Sequence, residues 1–360
     1  VVLGELTFRR ALREELDVHS GIFDLKVLEH GVDAHFIAVE DVFGVERVVK
    51  ASSVWGDAGF AFRRDVGTVA VFARNDFRYP QLTVYGRLPR LEIVGDETFQ
   101  SFWVGFENGR AGGNSLVAFR KMYDTATGLV FQAKWYDYFG WRFGKSVDAS
   151  ILPYLPADNE TADHQYIVRF HRNMVAFEVD NSVVAFAIPC NRVGVVKSGV
   201  KPYSIFLVER IPERLSPLIE WGSDRSRTAT SDLYVYIDPS SFRVSEGVPV
   251  PNLQLPLYLE DSDARLAGYS VSSGSVVSHP FPVMGFAGKT FYFMASQGGV
   301  LEVQVYTLSG SWRTYDTISI PADTLYGYKM TGDAVLARVV FTPSAYPASI
   351  LEAEVILNAY

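Results

Sequence analysis

The chain has 360 residues, of which 48% are hydrophobic and 21% charged, and its formal net charge is −8. That length exceeds what one ordinary hydrophobic core serves, so two domains are expected, and the apolar fraction excludes wholesale disorder. The negative charge argues against nonspecific nucleic-acid binding, which needs a basic surface to displace counterions from phosphate.

Val1-Val2-Leu3-Gly4 carries neither a starting Met nor the basic-apolar-small pattern of a signal peptide, as if a leader had been removed or the chain began later in its gene. Phe8, Leu12 and Leu16 recur at helical spacing, with Arg10 and Glu14 placed to pair. This predicts a helix over 8–16, either a cap on a sheet or an arm that docks on a neighbouring subunit. From Gly21 the period becomes two: 23–27, 34–39, 45–49, 69–72, 82–85, 102–106, 115–122 and 129–135 read as strands, separated by Gly, Asp, Asn and Pro. Spacing of this kind without intervening helices predicts an antiparallel sandwich.

The stretch from His164 to Pro189 reads as a three-stranded meander. Tyr166, Val168 and Phe170 alternate with Ile167, Arg169 and His171, Val175, Phe177 and Val179 with Ala176, Glu178 and Asp180, and turns fall at Arg172-Asn173 and Asp180-Asn181-Ser182. One face is apolar enough to be buried. Tyr203 to Val208 is expected to close the first domain (1–210), and the proline- and Ser/Arg/Thr-containing run 211–230 reads as a linker. Strands at 233–237, 255–259, 291–294, 301–307, 317–320, 335–341 and 350–357 predict a second β-sandwich over 231–360. Leu301, Val303 and Val305 oppose Glu302 and Gln304, and Leu351, Ala353, Val355 and Leu357 oppose Glu352 and Glu354. The fold class expected is therefore all-β, two antiparallel jelly-roll-like sandwiches. Phe281 to Ala295, the most apolar run, is broken by Pro282 and Lys289, so no membrane span is expected.

The runs His164-Gln165-Tyr166-Ile167-Val168, Met174 to Asp180 and Val183-Val184-Ala185-Phe186 make the first half resemble the concanavalin A-like lectin/glucanase superfamily, which includes laminin-G-like modules. Gly128 to Phe131 and Pro153 to Pro156 are compatible with it. That resemblance implies a jelly-roll sandwich rather than an activity. Val303 to Tyr306, Trp312 to Tyr315, Ala337 to Pro343 and Leu351 to Val355 are faintly similar to the late strands of galactose-binding-like modules, whose early strands and bridging cysteines are missing.

Glycanases of the first group place carboxylates in a Glu-x-Asp-x-x-Glu run, because acid and nucleophile must flank the scissile bond. Glu178 and Asp180 supply two, but Val183 stands where the third belongs, and a solvated strand end is the simpler reading. Gly285 to Thr290 ends like a phosphate loop yet leads into a strand, and Gly109 to Asn114 lacks the strand-to-helix unit of a dinucleotide site. His30 and His35 would point to opposite faces of a strand. Glu260-Asp261-Ser262-Asp263 lacks the full alternating ligand loop of a calcium site, so an acidic turn is expected and the metal question stays open. Cys190, the single cysteine, has no basic partner nearby in sequence. Asn159-Glu160-Thr161 is a glycosylation acceptor if the chain is secreted from a cell that performs the reaction.

The candidate binding patch is Trp135, Tyr136, Asp137, Tyr138, Trp141 and Arg142. Six aromatics fall among the nine residues 135–143, and alternation should send some outward, where rings beside an Asp and an Arg stack on sugars or anchor a partner. A strand buried on both faces would give the same string. The function expected is a noncatalytic carbohydrate- or surface-binding protein, extracellular or on a particle surface, with a glycan or surface ligand as partner. Neither a catalytic residue nor a cofactor is indicated, and homo-oligomer formation stays open. A structural subunit of a virion or cell-surface assembly, and a polysaccharide hydrolase or lyase, are the alternatives.

Overall fold

The computed structural model describes residues 24–31, 34–40, 46–52, 56–63, 80–91, 99–107, 115–137, 145–171, 174–190, 192–211, 216–223, 236–237, 243–246, 252–307, 309–332 and 334–358. Strands dominate throughout, joined by turns and one short 3-10 turn at Leu152–Tyr154, so the all-β expectation holds over the described residues. The expected helix at 8–16 and strand at 69–72 lie outside them.

Two sheets form the first sandwich. One runs in the order Asp24–Gly31, Gly56–Arg63, Ser216–Ser223, Phe99–Glu107, Ser115–Asp124, Gly128–Asp137 and Lys145–Ser150. The other runs Gly194–Lys197, Ser204–Val208, Ser182–Pro189, Met174–Val179, His164–His171, Pro80–Arg87, Tyr236–Ile237, Glu46–Ser52 and Ala34–Glu40, with Arg243–Glu246 also paired to Pro80–Arg87. The meander forms as expected, Tyr166 opposite Val179 and Val175 opposite Ala187, with Asp180 and Asn181 taking the left-handed turn conformation at φ of 48° and 62°. Ser204–Val208 lies parallel to Ser182–Pro189.

Strand pairing carries the first sandwich past residue 210. Ser216–Ser223, inside the expected linker, sits between Gly56–Arg63 and Phe99–Glu107, and strands as late as Glu246 pair with Pro80–Arg87. The second sandwich starts with Asn252–Pro256, next to Ala348–Asn358, Gly288–Ala295 and Tyr326–Lys329. Its other sheet comprises Val276–Val277, Leu336–Pro343, Gly299–Tyr306 and Trp312–Ile320, with Phe281–Pro282 also paired to Leu336–Pro343.

The cores follow from the alternation. Phe106, Phe119, Phe131, Trp135, Tyr166, Phe177 and Phe206 fill the first, with Phe119 meeting Phe177 edge-on at 5.3 Å. The second and third meander strands are covered on both faces. Their opposite side, Met174, Ala176, Phe186 and Ile188, together with Ile205 and Leu207 of the adjoining Ser204–Val208 strand, belongs to one continuous core with Phe281, Phe291, Phe293, Leu301, Phe341 and Val355 of the second sandwich. At this junction the Tyr203 ring packs edge-on to Phe186 and to His279, each at 5.0 Å. The Tyr203 hydroxyl donates to Pro280 O, and His279 Nε2 donates to Tyr203 O.

Two local features shape the surfaces. Lys121, wholly buried, donates from Nζ to Pro89 O, Asn159 Oδ1 and Glu160 Oε1 at 2.7–2.8 Å, which pins the 156–163 loop to the sheet. A register shift between Met294 and Ala295 pairs Ala295 with Ile350 and Met294 with Glu352. One extra residue on the Ala348–Asn358 strand turns Leu351 outward, against its expected inward direction, and leaves Ile350 in the core.

Candidate functional site

The Gly128–Asp137 strand divides the aromatic segment by parity. Phe131, Ala133 and Trp135 point into the first core, and Trp135 is 0% exposed. Trp135 is therefore a packing residue and offers no ring to a sugar, a correction to the patch expected from sequence. Asp137 is also buried, its Oδ1 accepting from Ser115 Oγ and its Oδ2 2.7 Å from Arg210 Nε. Tyr136 alone of the described three faces outward. It is half-buried and packs with Trp103 over Leu116 and Ala118, while the Arg120 guanidinium lies 4.6 Å above the Trp103 ring. Tyr138, Trp141 and Arg142 lie outside the described residues.

The acidic pair is not brought together either. Glu178 lies on the meander face turned away from the first core and is buried, with its two oxygens 2.9 and 3.1 Å from Arg169 Nε and Nη2. Burial pushes its carboxyl above the ordinary range while Arg169 opposes the shift. Glu178 is thus no solvated outer acid, because this face of the sheet is covered. Asp180 sits at the adjoining turn, where it accepts from Gln165 N and faces His164 Nδ1; His164 Nε2 faces Asp158 Oδ1. Asn159 is buried, with Nδ2 donating to Pro156 O and Oδ1 accepting from Lys121, so its amide is not presented as a glycosylation acceptor.

A cleft of about 340 Å³ opens instead on the second sandwich, between the turn 259–262 and the segment 269–277. Its floor is apolar, formed by Val271 and Val276, both buried. Its rim is polar: Ser262, Ser272, Ser273 and Ser275 supply hydroxyls, Glu260 and Asp261 supply carboxylates, and the Tyr269 ring, 38% exposed, forms one wall. Gly274, at φ 67°, turns the serine-bearing loop back on itself, and Tyr346 Oη donates to Gly274 O to hold it.

Long-range pairs fix the acidic wall. Lys197, from the first sandwich, donates to Glu260 O at 2.9 Å and Asp261 Oδ1 at 3.0 Å, and Arg338 Nη1 donates to Glu260 Oε1 at 2.7 Å. The Asp261 side chain is still 90% exposed. The acidic run thus lines a cleft as well as making a turn; among the described residues no three His, Cys, Asp or Glu side chains are grouped to hold a metal. An apolar floor under hydroxyls, carboxylates and one aromatic ring matches the chemistry of a sugar, which has an apolar C–H face and a polar edge. Sequence reading passed over this site, although the run Tyr269-Ser270-Val271-Ser272-Ser273-Gly274-Ser275 carries an unusual density of hydroxyls beside an aromatic.

No family model matches the chain, and no curated protein matches it. Among solved structures, mouse laminin α1 chain domains LG4-5 are similar at 8% identity, with 79% of this chain and 76% of that chain covered and a TM-score of 0.22. A glycoside hydrolase family 43 arabinoxylan arabinofuranohydrolase from Bacillus subtilis, solved with cellotetraose, is similar at 10% identity over 94% of this chain and 80% of that chain, with a TM-score of 0.21. At such TM-scores neither structure superposes on this chain as a whole, and neither tells what it binds.

Proposed function

We propose that the protein is a noncatalytic carbohydrate-binding β-sandwich protein, acting outside the cell or on a particle surface, with its ligand in the cleft beside Tyr269. The observation that carries this reading is the cleft's lining: an apolar floor, a ring wall and a rim of hydroxyls and carboxylates held in place by Lys197 and Arg338. Groups fixed before the ligand arrives lower the ordering cost of binding. A glycan array followed by titration calorimetry tests it. Tyr269→Ala is expected to weaken the selected glycan about three- to tenfold, the range of one aromatic contact, with the fold intact. Unchanged affinity in Tyr269→Ala and Asp261→Asn would remove the cleft from consideration. In that event Tyr136 with Trp103 is the face to test next.

The structural-subunit reading has its own support. Trp312–Ile320 is an edge strand of nine residues, and the five from Arg313 to Thr317 are exposed, the sort of edge on which another chain can pair. Light scattering across a concentration series separates the two readings: discrete large assemblies without a glycan signal favour the subunit. Disappearance of bound glycan with time would favour the hydrolase.

A further inference from the structure

The cleft wall continues into a second group of side chains on the outer face of the adjoining sheet. Glu260, which lines the cleft, is held by Arg338 Nη1 at 2.7 Å, and the Arg338 guanidinium lies 4.5 Å from the centre of the Trp312 ring. Two contacts therefore link the cleft to an indole. Arg338 Nε donates to Gln304 Oε1, Gln304 Nε2 to Glu302 Oε2, and Thr314 Oγ1 to the same Glu302 oxygen. The Tyr306 ring meets Trp312 edge-on at 5.1 Å. In strand register Gln304 stands opposite both Arg338 and Thr314, and Tyr306 opposite Trp312, so all of these project from the face opposite to buried Leu301 and Val303.

The hairpin joining Tyr306 to Trp312 adds hydroxyls, with Thr307, Ser309 and Ser311 bonded to one another at 2.8–3.2 Å. The group also lies where the sandwiches meet, since a side chain at Gly310 would run into the Arg192 guanidinium of the first. Domain junctions are favoured places for ligand sites. Trp312 and Tyr306 are half-buried, with one part of each packed against the junction core and the Arg338 guanidinium over the indole, so an incoming ring meets an ordered partner on the part left open.

Building on the proposed cleft function, we infer that Trp312, Tyr306 and Arg338 form a second sugar subsite continuous with the cleft, and that the ligand is a neutral oligosaccharide spanning both. The charges along the path select for neutrality. Glu260 is paired with Arg338 and Asp261 with Lys197, so these charges offset one another and the remaining groups offered to a ligand are hydroxyls, amides and rings.

The test is a calorimetric length series: xylose, mannose and galactose, and their oligosaccharides of two, three and four units, titrated into the full chain and into Trp312→Ala and Tyr269→Ala. In the wild type affinity should rise with length. Trp312→Ala should flatten that rise, costing the tetrasaccharide about three- to tenfold while leaving the monosaccharide unchanged, whereas Tyr269→Ala should weaken both. Trp312→Phe should restore part of the length dependence, and it reads the same slope if the alanine variant fails to fold. A length dependence identical in wild type, Trp312→Phe and Trp312→Ala, with Tyr269→Ala still weakened, would overturn the second subsite and leave the cleft standing. Absence of wild-type binding to every sugar of the series would overturn both.

Discussion

Phe186→Ala strikes the core that joins the two sandwiches. Phe186 is fully buried on the meander face turned away from the first core, and its ring packs edge-on to Tyr203, which reaches Pro280 and His279 in the second sandwich. Truncating a buried Phe costs about 3–5 kcal/mol, the lost transfer energy plus the cavity, and the aromatic pair accounts for roughly 0.5–1.5 of that. Against a total stability of about 5–15 kcal/mol, the variant should unfold at much lower urea. Phe177→Ala, on the other face of the neighbouring strand against Phe119, is the matched control and should lose a similar amount. Urea denaturation followed by fluorescence and by far-ultraviolet circular dichroism reads both. If the sandwiches share a core, the two probes should move together in each variant. A loss below about 1 kcal/mol in Phe186→Ala, with the full loss in Phe177→Ala, would refute the shared core.

Lys121→Met keeps the volume but removes all three donated bonds; the buried Pro89 and Asn159 oxygens are then left without a donor, at about 1–3 kcal/mol each, so urea midpoints should fall and hydrogen exchange over 156–163 should rise. His171 and His279 are both held down at about 4, chiefly by burial, with Arg169 acting on the first and Lys197 on the second. The unfolded chain takes up these protons near pH 6.5 and the folded chain only near 4, so their contribution is fully present above 6.5 and is lost as pH falls to 4, up to about 3 kcal/mol for each. Urea midpoints at pH 7, 5.5 and 4.5 should show the decline, and His279→Gln should make it shallower; an unchanged slope would mean that His279 does not titrate in this way.

The period-two pattern was enough to find the meander strands, because Val175, Phe177 and Val179 can be buried together only in an extended chain. Burial of the second face was also written there: Val183 to Ile188 is an unbroken apolar run, the mark of a strand covered on both sides, and Met174, Ala176, Phe186 and Ile188 supply that face. Composition could not tell Trp135 from Tyr136. Adjacent aromatics must face opposite ways, but only the pairing of Trp135 with Val117 and Val147 in the sheet decides which one enters the core. Ser216–Ser223 was hidden for a related reason: its place depends on backbone pairing with strands more than a hundred residues earlier, which a proline-bearing local sequence does not announce. The cleft is more distributed still, since Lys197, Glu260, the run from Tyr269 to Ser275, and Arg338 come from four separate stretches and share no spacing.

That distribution ties the proposed recognition to the domain junction. Lys197 belongs to the first sandwich, yet it holds Asp261 and the Glu260 carbonyl in the second, close to where Tyr203 and His279 dock. A ligand that needs the acidic wall in place therefore draws on the packing of Phe186 as well as on its own contacts. Phe186→Ala, assayed where it is still folded, should weaken binding in the cleft, whereas Phe177→Ala, equally destabilised but remote from the junction face, should not. Equal affinities in the two variants would separate the cleft from the junction and leave Lys197 as a surface contact only.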